Sequence, residues 1–454
     1  MSTIDLFTVS DEERARALAH AKMAATEAAK IPDIPASTPL RPVNKVTVIG
    51  AGTMGGGIAM SLASIGIPVT LIDASDQGLE RGLQRIRDNY AGSVSRGKLA
   101  QADMDQRLAL ITGSVQIANV KDADMVIEAV FEDMALKQDI FRQLDTLAKP
   151  GAILATNTSG LDVDQIAAVT SRPADVVGAH FFSPAHVMKL LEVVRAAKSA
   201  PDVIATLMDL GRRMGKIAVL SGIYPGFIGN ALFRNYTREA HFLVEDGALP
   251  HEVDAALKKF GYAMGIFAVH DMAGNDVGYQ TRKAQMATRP TDRRWNDLIM
   301  KLCDLGRLGQ KSGKGWYRYP DLDKGDRTPQ RDPEVEQFIA EESARMGIAR
   351  KTMSEEEIIK RCLYGMINEG AKLLEQGIAL RPSDIDITYL TGYGFPAHHG
   401  GPMYLADRIG LDQVLADIQR FHAQDGFWWK PAPLLQKLVA EGKQFADLQS
   451  PALL

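Results

Sequence analysis

Two groups of residues in this sequence are of types, and at spacings, that do chemistry. The first is Gly50-Ala51-Gly52-Thr53-Met54-Gly55, set between β-branched Val46–Ile49 and the helical apolar spacing of Ile58, Met60, Leu62, Ala63 and Ile65. A GxGxxG between strand and helix meets the needs of a dinucleotide pyrophosphate. Gly50 makes the tight turn, Gly52 lets backbone approach the phosphates, and Gly55 lets helix and strand pack closely, while the helix N-terminus offers free N–H groups. A second apolar strand, Pro68–Ile72, ends in Asp73, suited to accept from the adenosine ribose hydroxyls. No arginine follows until Arg81, so NAD is expected over NADP.

A nicotinamide cofactor implies hydride transfer, and an alcohol substrate then needs a general base. His180 ends the apolar run Val176–Phe182, at the strand end that faces the ligand cleft in an α/β sheet. Its ordinary pKa of about 6.5 suits proton abstraction near neutrality. Glu192 lies within the next apolar run, Met188–Val194, where a carboxylate is costly unless paired. Paired with His180 it would orient the ring and stabilise imidazolium. The spacing of twelve is no metal motif, and no metal is expected. Ser159, in TNTSG, and Asn230, in PGFIGN, are polar residues suited to holding a substrate hydroxyl. Their alternatives are a helix N-cap and a solvent-facing helix position. Glu132 and Lys137 follow another strand and are candidates for the cofactor, with a solvated helix face as the plainer alternative. His270, His398 and His399 have no evident carboxylate partner.

These residues need a frame, and the pattern supplies one. Residues 1–42 read as an Ala-rich charged helix and a proline-marked linker, and 43–223 as a doubly wound α/β domain. Candidate strands there are Ile111–Gly113, Met125–Ala129, Ile153–Asn157, Val176–Phe182 and Leu190–Arg195. Gln77–Ser95, Asp133–Leu147 and Val163–Val169 read as helices, and RGKLAQADMDQRLAL as a charged connection. From Pro225-Gly226 onward the chain is mainly helical and contains one unit twice. Residues 224–320 form the first copy, 321–350 a hydrophilic linker, and 351–454 the second. Asp254 and Gly261-Tyr262 are echoed by Asp384 and Gly392-Tyr393, and Asp271 by Asp407. With 454 residues, 46% hydrophobic and 24% charged, the composition is that of a soluble multidomain enzyme. A net charge of −4 without a basic block argues against nucleic acid. Two cysteines without a metal spacing, no apolar run of membrane length and no recognisable leader make a cytoplasmic location the expectation.

The stretches VTVIGAGTMGGGIA, VIEAVFEDMALKQDIF, TNTSGL, GAHFFSPAHVMKLLEVV and PGFIGNALF together resemble the L-3-hydroxyacyl-CoA dehydrogenase family. The resemblance implies a Rossmann-type domain followed by two similar all-α domains, like those C-terminal in 6-phosphogluconate dehydrogenase. It also implies NAD-dependent oxidation of (3S)-3-hydroxyacyl-CoA in fatty-acid β-oxidation or related acyl-CoA degradation. His180 then resembles the base and Glu192 its carboxylate. Ser159 and Asn230 resemble the substrate-positioning residues, Asp73 the ribose ligand, and Glu132 and Lys137 residues near the nicotinamide. The doubled helical part is similar to the dehydrogenase half of multifunctional β-oxidation enzymes, and only about 40 residues stand where those carry a hydratase, so hydratase activity is not expected. Gly160 departs from the family's usual Ser or Thr. A monomer, with the second copy standing in for a partner subunit, and a homodimer both stay open, as does association with a separate hydratase or thiolase. A β-hydroxy acid dehydrogenase acting without CoA and a non-catalytic partner of a hydratase are the rival functions.

Overall fold

The computed structural model describes residues 5–286 and 289–448. One compact unit joins Ala19–Ala231 to Leu373–Tyr393, and a second comprises Leu232–Lys372 and Gly394–Asp447 with the N-terminal residues up to Leu18. Among the described residues no helix is long and apolar enough to cross a membrane.

The first unit is built on eight strands: β1 (Val46–Ile49), β2 (Val69–Ile72), β3 (Ile111–Ser114), β4 (Met125–Glu128), β5 (Ile153–Thr156), β6 (Val176–Phe181), β7 (Leu190–Val194) and β8 (Ile217–Ser221). Their order is β3-β2-β1-β4-β5-β6-β7-β8, and every neighbouring pair is parallel except β6 and β7. Strands β1, β2, β4, β5, β6 and β7 are buried at every residue, which is why they read as unbroken apolar runs rather than alternating ones. Strand order reverses between β1 and β4, so the crevice beyond their C-terminal ends is the switch point where an α/β sheet binds ligands. This is the Rossmann-type architecture expected from the alternating pattern.

The helices up to the sheet's end are α1 (Asp11–Glu27), α2 (Thr53–Ala63), α3 (Asp76–Ser95), α4 (Gln101–Ala109), α5 (Met134–Leu147), α6 (Val163–Ala167) and α7 (Pro201–Arg213). The segment expected as a charged connection carries α4, a run of helix formers with no buried residue. Helix α7 and β8 also went unanticipated, although Pro201 stands at N1 and α7 buries Val203, Ile204, Leu207 and Leu210.

Beyond the sheet come α8 (Gly229–Asp246), α9 (Pro250–Phe260), α10 (Ile266–Ala273), α11 (Asn275–Gln285), α12 (Leu298–Asp304), α13 (Pro333–Arg345), α14 (Glu355–Glu375), α15 (Pro382–Gly392), α16 (Pro402–Ile409), α17 (Leu411–Asp425) and α18 (Pro433–Ala440). The expected 321–350 linker contains α13, capped by Asp332 and burying Val335 and Ile339, four residues apart on one face.

Local geometry repeats between the two helical copies. Helices α9 and α15 each run 11 residues from a proline at N1. Helices α10 and α16 each run 8 residues into a glycine with matching dihedrals, φ 98 ψ 120 at Gly274 and φ 100 ψ 120 at Gly410. Asp271 accepts from the Trp316 and Tyr317 amides at 2.9 Å, as Asp407 does from Phe445 at 2.8 Å and Ala446 at 2.9 Å. Counting from the N1 prolines pairs Asp254 with Asp386 rather than with Asp384, because the proline fixes the helical phase.

The buried His241 ring stacks on Trp316 and meets His270 edge-on at 5.3 Å, with neither of its nitrogens hydrogen-bonded. Burial pushes the His241 pKa well down and that of His270 down to about 4. Below about pH 6.5 the unfolded chain therefore binds protons that these rings refuse, and stability falls as pH drops toward 4, by up to about 1.4 kcal/mol per pH unit for each ring. Burial raises the carboxyls of Glu245 to about 7 and Asp254 to about 6, with the opposite effect over that range. The comparison that isolates the imidazole is between variants. Urea unfolding of wild type and His241→Leu should show their stability difference moving against wild type between pH 7 and 4.5, and a pH-independent difference would refute this account.

Candidate active site

The antiparallel pairing of β6 and β7 sets His180 directly opposite Glu192. His180 Nδ1 lies 2.7 Å from Glu192 Oε2, and both residues are buried. A carboxylate only accepts, so Nδ1 carries a proton, and in the neutral ring the lone pair is on Nε2. The other carboxylate oxygen, Oε1, accepts from the backbone N–H groups of Ile228 at 3.1 Å and Gly229 at 2.8 Å. Those donors come from a tight turn in which Phe227 takes φ 51, a left-handed conformation that costs a side-chain-bearing residue about 1–3 kcal/mol. The Phe227 ring lies 5.7 Å from the His180 ring, and Phe182 lies 4.3 Å from it, so the imidazole is walled by aromatics.

The glycine loop has the form a dinucleotide needs. Gly50 takes φ +103, and a Cβ there would meet Ala129 O at 2.5 Å; a Cβ on Gly55 would fall 1.7 Å from Gly50 O. At Gly52 a Cβ would meet nothing within 4 Å, so the space beside the loop is open. Gly52 is the N-cap of α2 and makes no side-chain cap bond, which leaves the first amides, from Thr53 and Met54 onward, directed at that space. Asp73 Oδ2 accepts from Ala51 N at 3.0 Å, which brings the carboxylate to the rim of the loop. These residues fit NAD: an anion cradle, and an acidic acceptor beside it.

Between these two centres runs a network of which the sequence disclosed only parts. Glu128, fully buried at the end of β4, accepts from Lys137 Nζ at 2.7 Å, Val130 N at 2.8 Å and Thr156 Oγ1 at 2.6 Å. Lys137 is likewise buried, and its ammonium lies 3.5 Å from Glu132. Glu132 Oε1 in turn accepts from Thr158 Oγ1 at 2.7 Å, Ser159 N at 2.7 Å and Ser159 Oγ at 2.9 Å. Asn230 Nδ2 reaches Ser159 O at 3.4 Å. The structure thus brings Glu132, Lys137, Ser159 and Asn230 into one set. Lys137 is not on a solvated helix face, and its charge is engaged by the two carboxylates. Glu128 escaped the sequence reading although it bears the signal that exposed Glu192, a carboxylate inside an apolar strand. Asn157, whose Oδ1 accepts from Phe181 N at 2.8 Å beside His180, gave no signal beyond following a strand. His398 and His399 belong to the other compact unit, where His399 stacks on Phe260 at 4.0 Å.

Fold and site together define an NAD-dependent oxidoreductase with an imidazole–carboxylate pair. Comparison with known proteins refines this. The 3-hydroxyacyl-CoA dehydrogenase NAD-binding domain matches residues 45–222, and the C-terminal domain of the same family matches twice, at 226–319 and 358–446. A peroxisomal bifunctional enzyme of Danio rerio is 45% identical over 416 residues, 88% of this chain and 57% of that protein. Among solved structures, 3-hydroxybutyryl-CoA dehydrogenase of Escherichia coli K12 is similar with a TM-score of 0.75 at 28% identity, covering 88% of this chain and 99% of that one. The dehydrogenase part of multifunctional enzyme 1 from C. elegans gives 0.67 at 29%, covering 95% and 97%. The chain belongs to the 3-hydroxyacyl-CoA dehydrogenase family. It spans a little over half the length of the bifunctional relatives it matches. The cytoplasmic expectation is overturned, because the relatives at 43–45% identity are named as peroxisomal proteins; a compartment address is read by a receptor and leaves no mark on composition.

Gly160 has a local reason. A Cβ there would come within 2.8 Å of Gly226 N, so the TNTSG loop and the Pro225-Gly226 turn meet backbone to backbone. Gly160→Ser should therefore lower stability by about 1–3 kcal/mol, read by urea unfolding, and a neutral change would show that the loop can give way.

Proposed function

We propose that this chain catalyses the reversible NAD-dependent oxidation of (3S)-3-hydroxyacyl-CoA to 3-oxoacyl-CoA. The observation that carries this is the His180 Nδ1–Glu192 Oε2 contact of 2.7 Å, which engages Nδ1 and leaves Nε2 as the nitrogen free to act as base. When bound, NAD supplies the hydride acceptor for C3. His180 Nε2 takes the hydroxyl proton in oxidation and returns it in reduction. Glu192, already accepting two backbone bonds, stabilises the imidazolium without leaving its place. Asn230 and Ser159 orient the substrate oxygen, and Ser159 exchanges its bond to Glu132 for one to substrate. Gly50, Gly52, Thr53, Met54 and Gly55 hold the pyrophosphate and Asp73 the ribose. Glu132 and Lys137 line the nicotinamide side, with Lys137 acting through Glu132. A lysine base, as in dehydrogenases of free β-hydroxy acids, is disfavoured because Lys137 is buried against Glu128.

The pathway proposed is fatty-acid β-oxidation. An Arabidopsis thaliana relative at 36% identity, named as a fatty acid β-oxidation multifunctional protein, supports it. We further propose the division 43–223, 224–320 and 351–454, the last a repeat that replaces a partner subunit in a monomer. The double match of one C-terminal domain family supports this. Light scattering should then give a mass near 49.5 kDa; twice that value would favour the homodimer.

The reaction is tested by absorbance at 340 nm with NADH and acetoacetyl-CoA. Wild type should consume NADH, and His180→Ala should lose about a hundred- to ten-thousandfold in kcat while still binding NADH. A variant with near-normal turnover would remove His180 from the role of base.

A further inference from the structure

The second helical copy contributes a side chain to this site. Helix α15 ends at Gly392, and Tyr393 at its C-cap extends its phenol to Asn230, donating to Oδ1 at 2.7 Å. One turn earlier Tyr389 stacks on Tyr393 at 4.8 Å with an interplanar angle of 15°, and its own hydroxyl donates to Gly229 O at 3.2 Å. The Tyr393 ring also meets Phe182 edge-on at 5.5 Å, and Phe182 is one wall of the His180 ring. The fit is close: a Cβ on Gly229 would fall 2.5 Å from Tyr393 Cε2 and 2.6 Å from its hydroxyl. Tyr389, Tyr393, Gly229, Asn230, Phe182 and His180 all lie within one compact unit.

A primary amide has two unlike ends, and which end faces a substrate decides what it can do there. On one side of Asn230 stands the carbonyl of Ser159, which only accepts, so Nδ2 turns to it. Oδ1 is then left to the Tyr393 phenol, which has a proton to give. Oδ1 keeps a second lone pair, but with both ends of the amide held in this orientation the second N–H of Nδ2 is the donor Asn230 has to offer a substrate. A donor is the useful group beside a carbonyl oxygen that gains negative charge as hydride arrives at its carbon. Donation into Oδ1 also polarises the amide and strengthens the N–H opposite.

We propose that Tyr393 is a positioning residue that fixes Asn230 as a hydrogen-bond donor to the reacting substrate oxygen. This rests on the dehydrogenase function proposed above and on Asn230 meeting the substrate. It makes the second helical copy part of the active site, not only a structural stand-in.

The test is a double-mutant cycle with Tyr393→Phe and Asn230→Ala, assayed with NADH and acetoacetyl-CoA. The Phe variant keeps the ring, its stacking on Tyr389 and its contact with Phe182, and loses only the hydroxyl. It should lower kcat about tenfold with the KM for NADH unchanged. In the Asn230→Ala background the same change should alter kcat less than twofold, because its route of action is gone. Unchanged kcat in Tyr393→Phe, or an equal fold loss in both backgrounds, would overturn the proposal while leaving the dehydrogenase function standing. Wild type inert toward acetoacetyl-CoA and toward longer 3-oxoacyl-CoA chains would overturn both.

Discussion

The site depends on a carboxylate placed where carboxylates do not belong. Glu192 sits mid-strand in β7 with no exposure, and an ion taken so far out of water is sustained only if its acceptor sites are filled. Three donors fill them: the imidazole it orients and two amides of the turn before α8. The requirement shapes the surroundings. It demands that β6 and β7 run antiparallel in a sheet otherwise parallel, since that register sets position 180 against 192. It also accounts for the left-handed Phe227, whose strain turns two successive N–H groups toward one oxygen. The cost of that conformation is offset by charge-assisted bonds of about 1.5–3 kcal/mol each. Because the same turn leads into Asn230, the imidazole–carboxylate pair and that amide are fixed together.

A second buried carboxylate plays a parallel part next to the glycine loop, where Ala129 lies against Gly50. Glu128 and Lys137 form an ion pair with almost no solvent contact, and such a pair is weak evidence for stability. Its effect here is geometric. Lys137, anchored by Glu128, presents its ammonium to Glu132, and Glu132 gathers the hydroxyls of Thr158 and Ser159. Glu128 thus ties β4 to β5 through Thr156, as Glu192 ties β7 to β6 through His180.

Much of this was legible in the sequence, for a physical reason. A strand buried on both faces must be apolar throughout, so a lone Glu192, or a His180 at a strand's end, stands out against its background. The glycine loop is legible because each glycine answers a separate steric demand, and the clashes at Gly50 and Gly55 are those demands made explicit. What escaped lacked such contrast. Helix α4 buries nothing, so its polar composition resembled a loop. Helix α13 lies in a stretch whose charges hid Val335 and Ile339. Compartment left no trace in residue chemistry, and absence of a signal was no guide to it.

The repeat shows most sharply where sequence reasoning ends. Aspartates and glycines that shape its frame are kept in both copies, as Asp271 and Asp407 or Gly274 and Gly410 attest, because each satisfies backbone groups or dihedrals that the fold imposes. Positions outside that frame are free to differ. Counted from the N1 prolines, Gly261 of the first copy corresponds to Tyr393 of the second. Gly261 takes φ 123, where a side chain is strained, whereas Tyr393 takes φ −126, where any residue is at ease. One small change in how a helix ends thus admits an aromatic side chain in one copy and excludes it from the other. That a phenol there reaches Asn230 depends on contacts 163 residues apart in sequence, which no local pattern encodes. A duplicated frame can in this way gain a role at its variable ends while its invariant residues still report only the fold.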